Sequence, residues 1–474
     1  MLANYIISEI KAQLLFEPNE QQEALIETLS NFLLSKDKEK IFLLKGYAGT
    51  GKTSIVSAMV KAMEKLHQRT ILLAPTGRAA KVIANYAGMP AFTIHKKIYR
   101  QKSLADFHFQ LSENLHSNTL FIVDEASMIS ETSNDKIFGS GHLFDDLLKY
   151  VYGGNNCSLM LLGDTAQLPP VKEEKSPALD TESLKNYGLN VTEFTLTQVM
   201  RQALESGILY NATKLRNHLS KNKVSDFPYL KIKNFKDIVS LPASEFVNEI
   251  QQAYEEAGIN ETIVITRSNY KANYYNQGIR NRVLFRESEL TNGDLLMVTR
   301  NNYFWSQPYE GIDFIANGDI LEVKRIRRYT EMYGFRFVDV TLHSLDENWE
   351  IDAKLWLDSL QSENPFYTEE MYKTLLERIS EDYSEIKKRK EKIRKIFENE
   401  YYNALQVKFA YAITCHKSQG GQWERVFIDP GLITEVQINA DFYHWLYTAL
   451  TRATKKVFLV NFSEKFFKKI YKNT

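Results

Sequence analysis

Four short apolar runs recur between stretches of helical period in the first two hundred residues: IFLLKG (41–46), TILLAP (70–75), LFIVDE (120–125) and LMLLGD (159–164). Each is rich in aliphatic residues and ends at a polar or glycine-rich stretch, which predicts a buried parallel strand feeding a loop. That is the pattern of a doubly wound α/β sheet, whose ligands collect at the carboxyl ends of the strands. A second set follows: ETIVITR (261–267), QVKFAYAIT (406–414), RVFIDP (425–430) and KVFLVNF (456–462). Two sets of one type predict a pair of related α/β domains.

Residues ~292–360 break the pattern. LLMVTRN, GDILEVKRIRRY, FRFVDVTLHSL and ENWEIDAKLWL are short alternating runs at hairpin-like spacing. They predict a small antiparallel barrel inserted in the second α/β domain. Beyond it, residues 371–405 are densely charged, which predicts a long helical arm with a solvated face. There is no internal repeat or low-complexity tract.

GYAGTGKTS (46–54) joins the first predicted strand to the amphipathic run IVSAMVKAMEKL. This G-x-x-x-x-G-K-T spacing between strand and helix is a phosphate cradle. Gly46, Gly49 and Gly51 let backbone N–H groups curl around phosphate oxygens, and the helix N-terminus adds its dipole. Lys52 reaches the β- and γ-phosphates, Thr53 ligates Mg²⁺, and Ser54 follows in the first helical turn. A plain glycine-rich turn would not require this spacing and these flanks together. ATP and Mg²⁺ are the ligands this loop predicts.

FIVDEAS (121–127) supplies acids at the end of another strand. Asp124 suits the Mg²⁺ shell, and Glu125 suits orienting or deprotonating the attacking water. Two adjacent carboxylates favour hydrolysis over transfer to a bound metabolite. LLGDTAQLPPV (161–171) closes the next strand. Asp164 and Gln167 stand where side chains sense a γ-phosphate, and Pro169-Pro170 force an extended exit.

Charge and cysteine content narrow the setting. The formal net charge of the 474 residues is zero, so any phosphate-binding surface must come from local clustering. Cys157 and Cys415 lie far apart without CxxC spacing, which argues against a zinc site or disulfide scaffold and suits a reducing cytoplasm. The first twenty residues are amphipathic and carry acids early, unlike a signal peptide. No apolar run approaches the roughly 18 residues that span a membrane. A soluble, cytoplasmic protein with no membrane partner is expected.

The ordered set of motifs resembles the superfamily 1 helicases of the RecD/Dda type, the 5′-to-3′ branch. Gln21 in NEQQEAL lies where that family reads adenine. APTGRAAKVI (74–83) resembles its first DNA-contacting motif and FTIHKKI (92–98) the Thr-x-His segment that follows. TLTQVMRQ (195–202) resembles the segment whose arginine reaches the γ-phosphate, here Arg201. ITRSNYKANYYNQGIR (265–280) resembles the fourth motif. AITCHKSQGGQWERVFI (412–428) and YTALTRATKKVFLV (447–460) resemble the fifth and sixth, with Arg452 as the second arginine finger.

The resemblance covers nearly the whole chain and implies an architecture. Residues 1–200 would form a first RecA-like P-loop domain with a β-hairpin pin at about 99–118. Residues 201–291 and 405–474 would form the second RecA-like domain. Residues 292–404 would be an inserted SH3-like β-barrel with the charged helical arm. ATP would then hold two domains together and its hydrolysis release them, with an arginine finger worth roughly 10³–10⁵ in rate.

A nucleic-acid track needs phosphate contacts for grip and apolar faces for bases. By resemblance, Thr76, Arg78, Lys81, Thr93 and His95 serve the first domain. Thr414, His416, Lys417 and Ser418 serve the second; a buried capping role for His416 is an open alternative. Phe107 and Phe109 alternate with His108, as in a short hairpin that presents an aromatic to the terminal base pair. Packing of both rings against their own domain is the alternative.

The expected function is thus an ATP-dependent helicase acting as a monomer on single-stranded DNA and single-strand/duplex junctions, alongside replication or repair and recombination proteins. Two alternatives stay open: a translocase that displaces proteins from single strands, and a subunit of a recombination nuclease complex. No separate nuclease domain is legible. The residues do not distinguish DNA from RNA.

Overall fold

The computed structural model describes the chain except residues 1, 102–108, 132–137, 201–204, 222, 225, 313, 348, 362–364 and 469–474. It divides into two compact units, residues 1–241 with 418–474 and residues 242–417.

In the first unit the strands are β1 (Lys40–Gly46), β2 (Arg69–Ala74), β3 (Ala91–Thr93), β4 (Tyr99–Gln101), β5 (Phe109–Leu111), β6 (Thr119–Val123), β7 (Ser158–Gly163), β8 (Asn190–Leu196) and β9 (Ile238–Leu241). Six of them form one sheet in the order β3-β2-β6-β7-β1-β8, with every pairing parallel. The four apolar runs of the N-terminal half are β1, β2, β6 and β7, and β6 is buried at all five positions. Such strands are apolar throughout because helices cover both faces of a parallel sheet.

One face is covered by the helices Leu2–Ala12, Glu20–Leu34 and Lys52–Lys65. Their Ile6, Ile10, Leu25, Leu29, Ile55 and Met59 pack with Phe42 and Leu44 of β1. β4 and β5 form a separate antiparallel ladder, with Tyr99 opposite Leu111.

The second unit opens its strands with β10 (Thr262–Thr266), followed by β11 (Leu295–Val298), β12 (Ile320–Met332), β13 (Phe335–Ser344), β14 (Glu350–Trp356), β15 (Val407–Phe409) and β16 (Ala412–Thr414). β10 and β16 pair in parallel, with Thr266 opposite Thr414. The others make an antiparallel sheet in the order β14-β13-β12-β11-β15. The β12–β13 hairpin turns at Tyr333 and Gly334, both at positive φ (55° and 67°). Two such residues match the right-handed twist of the flanking strands.

The charged arm is two helices, Pro365–Asp382 and Arg389–Phe397, rather than one long solvated helix. Its Leu375, Ile379 and Ile396 bury against Phe337 and Trp356 of the sheet, with Tyr401 and Tyr402 alongside. Its charges line the outside while its apolar stripe completes a core that the sheet begins.

A buried ion cluster pins the helix Asn269–Arg282 in this unit. The fully buried Asp294 accepts from Arg280 at 3.0 and 3.1 Å, Arg286 at 2.7 Å and Tyr411 at 2.8 Å. The fully buried carboxylate is thereby matched by two guanidinium groups, the condition under which burying charge is tolerable.

The chain returns to the first unit with β17 (Trp423–Asp429) and β18 (Ala453–Val460), where β17 pairs with β18 and β18 with β9, all parallel. Among the described residues, no helix is long and apolar enough to cross a membrane.

Candidate nucleotide site and nucleic-acid track

β1 ends at Gly46 and the helix Lys52–Lys65 begins six residues later. Gly49 and Gly51 adopt left-handed φ values of 75° and 81°, which side chains resist and glycine permits. Space matters as well: a Cβ on Gly51 would meet Gln22 Nε2 at 2.6 Å. Lys52 folds back over the loop and donates to the Gly46 carbonyl at 3.2 Å. Thr53 and Ser54 occupy the first turn, partly buried.

The loop is braced from two directions. Gln22, buried to 1% exposure, donates to the Thr50 carbonyl at 2.9 Å and is fixed by its capping box with Asn19. On the other side the Tyr447 hydroxyl accepts from the Ala48 N–H at 2.9 Å and donates to Asp164 at 2.6 Å.

Asp124 and Glu125 follow β6. Asp124 is buried, and its carboxyl is held above the usual carboxylate range by burial and the adjacent Glu125, opposed by Lys52 and Arg452. A buried, under-compensated carboxylate is what a divalent cation relieves. Glu125 has a left-handed backbone (φ 51°), and its N–H donates to Asp124 Oδ1 at 2.8 Å. One Glu125 oxygen lies 3.7 Å from Arg452 Nη1, while the other is buried with no hydrogen-bond partner.

Asp164 is raised above the usual carboxylate range chiefly by burial, with Lys52 opposing. Gln167 carries a second buried oxygen with no partner. These orphaned acceptors and the glycine cradle fit a water, a metal shell and a phosphate chain. Arg452 is 4% exposed and held by the Thr448 and Gly421 carbonyls at 3.1 and 3.3 Å.

Lys52, Glu125, Asp164, Gln167 and Arg452 thus belong to one compact unit, with Arg452 against Glu125. Arg201 lies outside the described residues. The Gln21 carboxamide is turned onto the chain leaving β8: it accepts from the N–H groups of Thr197 and Gln198, both at 2.9 Å, and donates to the Thr195 carbonyl at 3.1 Å.

Sequence reasoning missed four side chains here: Gln22, Tyr447, Thr448 and Arg216. Thr448 Oγ1 accepts from the Leu168 N–H at 2.8 Å. Arg216, 8% exposed, stacks its guanidinium over Tyr47 at 4.3 Å and leaves one nitrogen without a partner. A glutamine, a tyrosine and an arginine inside helical runs carry no local signal of such contacts.

The family described as an AAA domain matches residues 17–227, and the UvrD-like helicase C-terminal domain matches residues 409–460. The uncharacterized protein R530 of Acanthamoeba polyphaga mimivirus is 24% identical, over 93% of this chain and 99% of its own length. The ATP-dependent DNA helicase dda of Enterobacteria phage T4 is 24% identical, over 90% of this chain and 95% of its own. The ATP-dependent RecD2 DNA helicase of Deinococcus radiodurans is 30% identical, over 41% of this chain and 24% of its own.

In these matches the chain is similar to the superfamily 1 helicases of the RecD/Dda type.

The residues this type of helicase would use as a track fall in both units. In the first, Thr76 caps the helix Gly77–Ala87, its hydroxyl accepting from the Ala79 N–H at 3.2 Å. Arg78 donates to the Gln422 carbonyl at 3.3 Å and stacks over Trp423 at 4.0 Å. Lys81 is exposed on the same helix. Gly420 makes this approach possible, since a Cβ there would meet Ala79 at 2.7 Å.

Thr93 is buried and caps the short helix Ile94–Ile98 through Lys96 N at 3.2 Å. His95 packs its ring 4.8 Å from Phe138, and burial pushes its pKa down to about 4. It is therefore a neutral hydrogen-bonding group at neutral pH. Ser418 is fully buried. Phe109 is buried against Phe138, with ring centroids 5.1 Å apart, and anchors the β4–β5 ladder. Phe107 lies outside the described residues.

In the second unit Thr414 is partly buried at the end of β16, and His416 and Lys417 are exposed. Trp305 and Tyr309, between β11 and β12, are engaged in internal hydrogen bonds. Trp305 donates to the Asn403 carbonyl at 2.8 Å, and the Tyr309 hydroxyl accepts from the Asp352 N–H at 2.8 Å. Tyr329 is 53% exposed.

Proposed function

We propose that this chain is an ATP-dependent DNA helicase that translocates 5′ to 3′ on single-stranded DNA and opens duplex at single-strand junctions. The observation that carries the reading is the convergence of the phosphate loop, Asp124–Glu125, Asp164–Gln167 and Arg452 within one unit. The family relation adds DNA and polarity.

In this reading the loop amides and Lys52 bind the phosphates, and Thr53 with Asp124 hold Mg²⁺. The metal supplies neutralisation of phosphate charge when bound. Glu125 holds the attacking water and takes its proton, and Gln167 orients that water from the far side. Arg452 stabilises charge on the γ-phosphate, and Arg201 joins it from the segment after β8. Gln21 reads adenine on leaving the β8 exit.

Because Arg452 already stands at Glu125 in the same chain, no second copy is required, and monomeric action is the reading. Thr76, Arg78, Lys81, Thr93, His95 and Ser418 grip the strand from one unit, and Thr414, His416 and Lys417 from the other. Phe107 and Phe109 are the candidates for the aromatic that parts the terminal base pair, and Phe109 packs on Phe138 at the β4–β5 ladder.

ATP turnover with and without single-stranded DNA tests this directly. Wild-type turnover should rise with the strand, and Lys52→Ala should abolish turnover while leaving strand binding measurable. Turnover retained in Lys52→Ala would remove the phosphate loop from the mechanism.

A further inference from the structure

Tyr447 lies five residues before Arg452, near the end of the helix Ala440–Leu450, and is fully buried. Its hydroxyl meets two groups that the ATPase reading treats separately: the Ala48 N–H of the phosphate loop at 2.9 Å and Asp164 Oδ2 at 2.6 Å. The backbone amide has only a proton to offer, so the phenol accepts there and donates to the carboxylate. Burial holds the phenol well above its ordinary range, so it stays protonated at working pH.

The same helix straps the residues that follow Asp164. His444 Nδ1 meets the Ala166 carbonyl at 2.9 Å, and Thr448 Oγ1 accepts from Leu168 N–H at 2.8 Å. From outside the helix, Gln419 donates to the Leu168 carbonyl at 2.7 Å. Residues 164–168, which include Gln167, are therefore registered against the helix that leads into Arg452.

We propose that Tyr447 is a positioning residue for ATP hydrolysis, a relay joining the third residue of the phosphate loop to Asp164 and to the arginine-bearing helix. The inference rests on the ATPase reading above. A shift of Asp164 on γ-phosphate binding or loss reaches the loop and Arg452 through one hydroxyl. The β-phosphate contacts of Lys52 and the following amides do not depend on it. Tyr447 should accordingly govern the chemical step more than ground-state binding of the diphosphate.

The test compares Tyr447→Phe with Tyr443→Phe. Tyr443 is on the same helix and equally buried, but its hydroxyl donates to the Asp226 carbonyl at 2.8 Å, away from the loop. Steady-state ATP turnover with saturating single-stranded DNA and the affinity for a fluorescent ADP analogue are measured for each. Tyr447→Phe should lower kcat about tenfold, the weight of one buried hydrogen bond, with ADP affinity within about twofold. Tyr443→Phe should leave both within about twofold.

A second arm is the double variant with Asp164→Asn. Residues acting as one unit are non-additive, so the double variant should lose no more than the worse single one. Unchanged kcat in Tyr447→Phe, or equal losses in both tyrosine variants, overturns the proposal. Full additivity with Asp164→Asn does so as well. If Lys52→Ala retains turnover, the ATPase reading itself fails, and that outcome is separate from the others.

Discussion

In the proposed mechanism, Glu125 is the residue on which the chemistry turns. Its backbone is left-handed, a conformation that costs a non-glycine residue about 1–3 kcal/mol and persists only where the surroundings impose it. Here the Glu125 N–H is fixed on Asp124, one carboxylate oxygen faces Arg452, and the other is buried without a partner. Glu125→Gln keeps the shape and loses the base. Nucleotide binding should persist while turnover falls roughly 10²–10⁴-fold; normal turnover would remove Glu125 from the mechanism.

His95 supplies a pH test at the same scale. Its folded pKa of about 4 lies below the ordinary 6.5, so in that window the unfolded chain takes a proton that the folded chain refuses. The stability it supports is present above 6.5 and drains away as pH falls toward 4. Urea midpoints across this window should fall less steeply for His95→Phe than for wild type. Equal slopes would show that His95 does not carry the effect.

The phosphate loop and the Asp124–Glu125 pair were legible because their chemistry is written in contiguous residues. Gln22 and Tyr447 were not, since each reaches the loop across 28 and 399 residues of chain, and only the fold sets such distances.

Among the elements, the strands read best. β1, β2, β6 and β7 are apolar on both faces and stand out in the chain. β3 has three residues, and β8, at the sheet edge, is exposed or partly exposed at all but its last position, so neither announces itself. The arm reads as solvated because charged residues recur all along it. The apolar partners of its buried stripe are Phe337 and Trp356, which belong to distant strands.

Asp294 is where an element-scale prediction is sharpest. Asp294→Ala leaves Arg280 and Arg286 facing each other without their carboxylate, so the second unit should lose about 3–5 kcal/mol of stability, read from denaturant unfolding. A loss below 1 kcal/mol would mean that water already screens the cluster. The β12–β13 hairpin offers a milder change. Gly334→Ala forces a Cβ into a left-handed turn and against Arg378, and should lower the melting temperature without altering ATP turnover.

For the whole molecule, a net charge of zero means that grip on a strand is local. Salt should weaken strand binding with a slope set by the few lysines and arginines at phosphates, about 0.7 per contact on single strands. The two units each carry candidate contacts for a strand, and the described residues of the candidate ATP site stand in one of them. Turning hydrolysis into movement therefore requires that the second unit respond to the state of the first.

Duplex unwinding with ATP and Mg²⁺ tests that account most directly. Short substrates would carry a 5′ or a 3′ single-stranded tail, in DNA and in RNA. Separation of the 5′-tailed DNA duplex, with the 3′-tailed one left intact, is the expected result. Preferential opening of the 3′-tailed duplex would contradict the polarity, and no ATP-dependent opening of any substrate would contradict the helicase.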